Sequence, residues 1–160
     1  MEDVNHAQKQ VVVTKILSRF GEDLSGMTFG VWGLAFKPDT DDMREAPAIT
    51  IINELTKHGA KIRAYDPKAE EEAKACYLKG NENVTYCKSK YEALDGADAM
   101  ILVTEWKEFR SPDFYEIKRL LKYPVIFDGR NQYSAKQVNK YGLDYYQIGV
   151  KPALVEGKAK

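Results

Sequence analysis

Three cationic side chains follow predicted β-strands, at positions where parallel-sheet proteins bind phosphate groups. Lys37 and Arg44 lie in a long polar segment, residues 33–44, that follows an apolar run, and Arg130 follows another apolar run, residues 124–127. Lysine and arginine offset phosphate charge, and arginine can contact two phosphate oxygens at once. Ligands of open parallel sheets lie beyond the carboxyl ends of the strands. The residue types and positions therefore predict a site for a diphosphate.

The glycines near this segment do not predict a dinucleotide site. Gly30 and Gly33 do not form the pattern G-x-G-x-x-G, and the segment after them is longer than that fingerprint allows. Two interpretations of these glycines stay open, a role in a ligand loop and close packing of the chain. We expect a Rossmann-like sheet whose first loop does not hold the nicotinamide cofactor.

Acidic residues near the cations allow two interpretations each. Asp66, which precedes Pro67, could bind a ligand but is more typical of a turn. Carboxylates of the polar segment could bind Mg²⁺, but they more often cap helices or pair with a nearby arginine such as Arg44. These carboxylates belong to Asp39, Asp41 and Asp42. We favour the structural interpretation for all of them and predict no metal site.

The remaining candidates offer no catalytic pair. Trp106 could stack on a base or lie in the core, and Arg130 could be structural, paired with Asp128. Cys76 and Cys87 are too far apart for a CxxC motif and have no histidine near them in sequence. No Ser/His or Cys/His arrangement is apparent, so we expect a binding function without catalytic residues in this chain.

Apolar runs and helical patterns alternate along the chain. The predicted strands are residues 28–32, 61–65, 84–87, 99–103, 124–127 and 144–148. The predicted helices are residues 5–20, 48–57, 69–78, 91–94, 114–121 and 135–141, the last capped by Ser134. This alternation predicts an α/β fold, a Rossmann-like parallel sheet with helices on both faces (three-layer αβα), preceded by the tail of a long helix. The first and fourth strands should flank the switch point of the sheet.

Length and charge limit the classes of function. The 160 residues suffice for one full core, and the 24 basic residues balance 24 acidic ones, for a net charge of +0. No basic field therefore points to a nucleic acid or an anionic membrane. The sequence has no apolar run of membrane-spanning length, and its N-terminus lacks signal-peptide character. We expect a cytoplasmic protein.

Four motifs together resemble a known family. They are residues 33–47, 64–67, 104–106 and 127–131. In this order they are similar to the C-terminal UDP-binding domain of the UDP-glucose/GDP-mannose dehydrogenase family, over about residues 26–150. The resemblance implies an NAD-dependent oxidoreductase that converts UDP-glucose to UDP-glucuronate with two NAD⁺. The resemblance is specific because all four motifs occur together and in this order.

The resemblance also implies a division of the chain. Residues 1–25 would be the end of the central helical linker, which serves dimerisation in the family, and residues 26–152 the UDP-sugar-binding domain. Residues 153–160 would be a disordered tail. The family's catalytic cysteine motif is absent from this sequence, so the rest of the enzyme chain would carry catalysis. We therefore expect no NADH production from UDP-glucose by this chain alone, and a homodimer for the whole enzyme.

Individual roles follow from matching positions. Phe36 and Lys37 would contact the UDP-sugar, or UDP itself, and Arg130 would reach it from the fifth strand. Arg44 would approach the NAD, which is bound mainly by the missing N-terminal domain. The alternatives are a related GDP-mannose or UDP-N-acetyl-sugar dehydrogenase, and a stand-alone nucleotide-binding module.

Overall fold

The computed structural model of the chain describes residues 2–149 and 151–155, with side chains from residue 10 onward. Within this part, six parallel strands form one sheet in the order β3-β2-β1-β4-β5-β6. The strands are β1 (Thr28–Trp32), β2 (Lys61–Tyr65), β3 (Val84–Tyr86), β4 (Ala99–Leu102), β5 (Val125–Asp128) and β6 (Asp144–Tyr146). The predicted Rossmann-like fold is confirmed, and β1 and β4 flank the switch point as expected.

Within the same residues, one helix precedes the first strand, and the others lie between successive strands. The helices are α1 (Glu2–Phe20), α2 (Pro47–Lys57), α3 (Glu70–Glu72), α4 (Lys90–Leu94), α5 (Phe114–Leu120) and α6 (Ala135–Lys140), with a 3₁₀ turn at Lys107–Phe109. Ser134 caps α6 as predicted, because its hydroxyl accepts a hydrogen bond from the backbone N–H of Gln137. No helix in the described part is both long and apolar enough to cross a membrane.

The predicted helix 69–78 differs from the observed one in type. It begins as α3 but continues as a π-helix over Ala73–Tyr77, with the backbone N–H of Leu78 donating to Ala73 O at 2.8 Å. Ala73 and Leu78 are both buried, whereas the residues at 74–76 are exposed. Two buried positions five residues apart fit a π turn better than an α turn, which explains the difference.

Burial identifies the centre of the sheet. All residues of β4 and β5 are buried, because helices cover both faces of these strands. The helix α1 packs against the sheet through Val12, Val13 and Ile16, and the Arg19 guanidinium pairs with Asp144 at 2.9 Å. The role of residues 1–25 as part of a linker stays a prediction.

The chain stays attached to the sheet beyond β6. Ala153 pairs with Tyr145 as an antiparallel bridge, and the backbone N–H of Val155 donates to the Asp144 carboxylate at 2.7 Å. The predicted disordered tail, residues 153–160, therefore begins with hydrogen-bonded residues. Residues 156–160 of that tail lie outside the described residues.

Candidate functional site

The carboxyl ends of the four inner strands are level with one another. Trp32 of β1 pairs in register with Tyr65 of β2 and Leu102 of β4, and Leu102 pairs with Asp128 of β5. The loops that follow these strands consequently leave the sheet from the same edge. This register brings together segments that are far apart in sequence.

Residues 104–106, which follow β4, connect three of these loops. The threonine hydroxyl donates to Ala35 O in the loop after β1 at 2.7 Å. The glutamate pairs with Arg130 after β5, with 2.9 Å between Oε1 and Nε, and the tryptophan indole N–H donates to Asp66 after β2 at 3.0 Å. Each of the three side chains thus holds a different loop against the edge of the sheet.

Gly33 lies where the first loop meets this segment. Its φ is +101°, and a Cβ there would come within 2.5 Å of the Thr104 Cβ. A Cβ on Gly30 would lie 2.7 Å from Ala93 O, on a helix that covers β1. Both positions leave no room for a side chain, so the structure supports the close-packing interpretation of these glycines.

Asp66 fixes the backbone at the start of the first loop. Its side chain is buried, at 5% exposure, and one oxygen accepts the N–H groups of Leu34 and Ala35 at 2.7 and 3.0 Å as well as the Trp106 indole N–H. The other oxygen accepts the N–H groups of residues 68 and 69, both at 2.8 Å. The turn interpretation is therefore confirmed, and Asp66 also fixes the start of the loop after β1. Sequence reasoning missed this second role.

Phe36 and Lys37 stand at the open side of the first loop. The Phe36 ring is 40% exposed although it is apolar, and its backbone N–H donates to Asp42 O at 2.8 Å, which closes the loop. Within the described residues, the exposed Lys37 ammonium has no ion-pair partner. An exposed ring beside an unpaired cation leaves both apolar and electrostatic contacts available to a ligand.

Arg44 lies on the far part of the same loop and pairs with a carboxylate from that loop. Its side chain is 80% exposed, and its Nη2 and Nε lie 2.8 and 3.1 Å from the Asp42 carboxylate oxygens. Hydrogen bonds from the Arg44 guanidinium lower the pKa of Asp42 to about 2. The predicted pairing of the acidic segment with Arg44 is confirmed for Asp42. Among the described residues, no group of three potential metal ligands comes together.

Arg130 follows a rigid turn after β5. Asp128 is the last residue of β5, whereas the sequence pattern ends this strand at residue 127. Its buried carboxylate accepts the backbone N–H groups of Arg130 and Gln132 at 2.8 and 2.7 Å. The hydroxyl of Tyr145 donates to the same carboxylate. Burial of this ring, next to the carboxylate, raises the pKa of Tyr145.

The Arg130 side chain points to a different partner from the one that sequence suggested. A structural pairing with Asp128 was the alternative, but the guanidinium pairs with Glu105: Nε lies 2.9 Å from Oε1, and Nη2 donates to Oε2 at 3.1 Å. Both residues line a cavity of about 160 Å³, together with Gly129, Asn131 and Ile148. Pockets for whole drug-sized ligands are about 300–1,000 Å³, so this cavity suits only part of a nucleotide.

The other candidates have structural roles. Trp106 is 6% exposed and belongs to the core, as one of its two interpretations predicted. Cys87 is buried, and burial raises the pKa of its thiol, which makes it a poor nucleophile. Cys76 is an exposed free thiol on the π-helix.

Comparisons with known proteins show similarity to one enzyme family. The model of the UDP-glucose/GDP-mannose dehydrogenase family, UDP binding domain, matches residues 30–135. A UDP-glucose 6-dehydrogenase of Pseudomonas aeruginosa is 40% identical over 151 residues, which cover 93% of this chain and 33% of that protein. For the UDP-glucose 6-dehydrogenase TuaD of Bacillus subtilis the identity is 41% over 152 residues, 95% of this chain and 32% of that protein. The chain thus spans about a third of the curated relatives it matches.

Solved structures give the same picture. A UDP-glucose dehydrogenase from Pyrobaculum islandicum superposes with a TM-score of 0.72 at 31% identity, over 90% of this chain and 30% of that one. The UDP-N-acetyl-mannosamine dehydrogenase Cap5O from Staphylococcus aureus superposes with a TM-score of 0.65 at 27% identity, over 92% of this chain and 32% of that one.

Proposed function

The chain belongs to the UDP-glucose/GDP-mannose dehydrogenase family, and from that premise we propose that it is the nucleotide-sugar-binding part of an NAD-dependent UDP-glucose 6-dehydrogenase. One observation carries the proposal. The Phe36–Lys37 loop and the Arg130 turn leave the same edge of the sheet and are tied to each other through residues 104–106. Under the proposal, a diphosphate bound at this edge binds one cation from each of these two loops.

The proposed roles divide the ligand among the loops. Lys37 binds the diphosphate as a point charge, and Arg130 binds it through guanidinium N–H groups. The Phe36 ring covers an apolar part of the nucleotide or sugar. These contacts hold UDP-glucose by its UDP moiety. The sugar then extends toward a catalytic centre outside this chain.

The NAD belongs to another part of the enzyme under this proposal. The segment between β1 and α2, residues 33–46, is too long for a dinucleotide fingerprint, and Asp66 rather than a ligand accepts its first N–H groups. This sheet therefore does not fit a dinucleotide cradle. Arg44, exposed on the loop, approaches the cofactor. The NAD, bound to the missing domain, would accept the hydride. The family's reaction, UDP-glucose to UDP-glucuronate with two NAD⁺, the homodimer, the cytoplasmic location and the inactivity of the chain alone stay predictions.

A related substrate is the second candidate. The superposition on the staphylococcal UDP-N-acetyl-mannosamine dehydrogenase shows that the same fold serves another UDP-sugar dehydrogenase. The cations described above contact a diphosphate, which UDP-glucose, UDP-N-acetyl sugars and GDP-mannose share. Selection among these sugars must therefore come from contacts other than Lys37 and Arg130.

Thermal unfolding tests the proposal. A ligand that binds only the folded chain stabilises it by RT ln(1 + [L]/Kd), so UDP at tenfold its Kd should add roughly 1.4 kcal/mol. For a chain of 160 residues this is a rise of a few degrees in Tm. We expect UDP to raise Tm more than NAD⁺ at equal millimolar concentration. A larger shift with NAD⁺ would assign this sheet to the cofactor instead.

A further inference from the structure

Glu105 and Arg130 form an ion pair at the carboxyl edge of the sheet. Nη2 donates a hydrogen bond to Oε2 at 3.1 Å, and Nε lies 2.9 Å from the buried Oε1 as an ion-pair contact without a hydrogen bond. Both contacts lie on the side edge of the guanidinium. The two side chains are 35% and 26% exposed, so the pair is only partly screened by water. A guanidinium has five N–H donors, and this pairing occupies one edge of the group. The N–H groups that point away from Glu105, two on Nη1 and the second one on Nη2, form the opposite edge and have no hydrogen-bond partner within the described residues.

The backbone that carries Glu105 is fixed on both sides. Thr104 donates its hydroxyl to Ala35 O, and the backbone N–H of Trp106 donates to Thr104 O at 3.0 Å. The indole N–H of Trp106 is bound by the buried Asp66. The Glu105 carboxylate therefore reaches out from a rigid segment, and its position is set by the neighbouring loops.

The backbone that carries Arg130 is fixed as well. The N–H of Gly129 donates to Leu102 O at 2.9 Å, and the N–H of Arg130 donates to the buried Asp128 carboxylate at 2.8 Å. What remains free is the long arginine side chain, whose rotamer entropy would otherwise be lost when a ligand binds. The ion pair with Glu105 restricts that freedom before any ligand binds.

From these contacts we propose that Glu105 is a positioning residue for the nucleotide-sugar: it holds Arg130 by one edge of its guanidinium so that the opposite edge meets a phosphoryl group of the ligand. The inference rests on the proposed function. It predicts that the negative charge of Glu105 strengthens the binding of an anion, because the gain from orienting Arg130 exceeds the repulsion between the carboxylate and the phosphate. A carboxylate that only competed with the ligand for Arg130 would have the opposite effect.

The test measures UDP binding by calorimetry to the 160-residue chain and five variants, two of which serve only the double-mutant cycle. Glu105→Gln keeps the shape of the side chain and removes its charge, and Glu105→Ala removes both. We expect each to weaken UDP binding about five- to thirtyfold, the effect of restoring rotamer freedom to one arginine. Glu116→Gln is the matched control, because it breaks an exposed pair with Arg119 on α5. It should leave the Kd unchanged.

A double-mutant cycle separates positioning from a merely structural role. If Glu105 acts through Arg130, adding Glu105→Ala to Arg130→Ala should change the Kd by less than about twofold. An equal loss in both backgrounds, or unchanged or tighter UDP binding by Glu105→Gln, would overturn the inference. Absence of UDP binding by the unsubstituted chain would overturn the proposed function itself, and the inference with it. Unchanged melting of Glu105→Gln shows that a loss of affinity is not a loss of folding.

Discussion

Asp66→Ala should lower the free energy of unfolding by about 3 kcal/mol or more, since buried donors that lose their acceptor each cost about 1–3 kcal/mol. The carboxylate accepts N–H groups from the loop after β1, from its own turn and from Trp106, and it is almost fully buried. Water that enters the space left by the carboxylate can accept only some of these hydrogen bonds. Urea unfolding of the two chains measures the difference.

Asp41→Ala is the matched control for this substitution. Asp41 is an exposed carboxylate on the same polar segment, and exposed substitutions usually change stability by within about 0.5 kcal/mol. Asp66→Ala should also weaken UDP binding, because Leu34 and Ala35 lead directly into Phe36 and Lys37. Equal unfolding midpoints for the Asp66 and Asp41 variants would show that the buried hydrogen bonds do not hold the loop.

Lys37→Ala and Arg130→Ala should each weaken UDP binding by roughly ten- to a hundredfold. The loss of one charge-assisted contact to a diphosphate costs about 1.5–3 kcal/mol, which corresponds to that range. Arg44→Ala should change UDP binding little, because its guanidinium is bound to Asp42 on the outer part of the loop and, under the proposed function, approaches the cofactor rather than the UDP-sugar. Calorimetric titration of the three variants with UDP gives the order.

Two further measurements sharpen this series. Arg130→Lys keeps the charge without the planar fork, so it should recover only part of the affinity lost in Arg130→Ala. In the full-length enzyme, Arg44→Ala should raise the apparent KM for NAD⁺. Equal losses of UDP affinity for Lys37→Ala, Arg130→Ala and Arg44→Ala would make Arg44 a ligand of the nucleotide-sugar. No loss for Arg130→Ala would leave Arg130 a structural partner of Glu105.

The strands of this fold were predictable because local signals bound them. The bounds of β1 and β2 agree with the prediction, since each is an apolar or alternating run that ends at a glycine or at Asp66-Pro67. The π turn at Ala73–Tyr77 was not predictable. Its geometry depends on which side chains reach the core, and helical periodicity alone does not give that.

Sequence reasoning selected the candidate cations, whose roles stay predictions, but it did not find the groups that hold their loops in place. Residue type and position after a strand were enough to select Lys37, Arg44 and Arg130. The five hydrogen bonds to Asp66 and the pairing of Glu105 with Arg130 depend on the register between strands far apart in sequence. The sequence contains one signal for Asp66, Glu105 and Arg130: each lies within a few residues of the end of a strand.

A parallel calorimetric titration of the unsubstituted chain with UDP, UDP-glucose, GDP-mannose and NAD⁺ tests directly whether this sheet holds the nucleotide-sugar. We expect saturable binding of UDP and UDP-glucose at one site per chain. GDP-mannose should bind more weakly, and NAD⁺ most weakly. Tighter binding of NAD⁺ than of UDP would contradict the claim that this sheet holds the nucleotide-sugar.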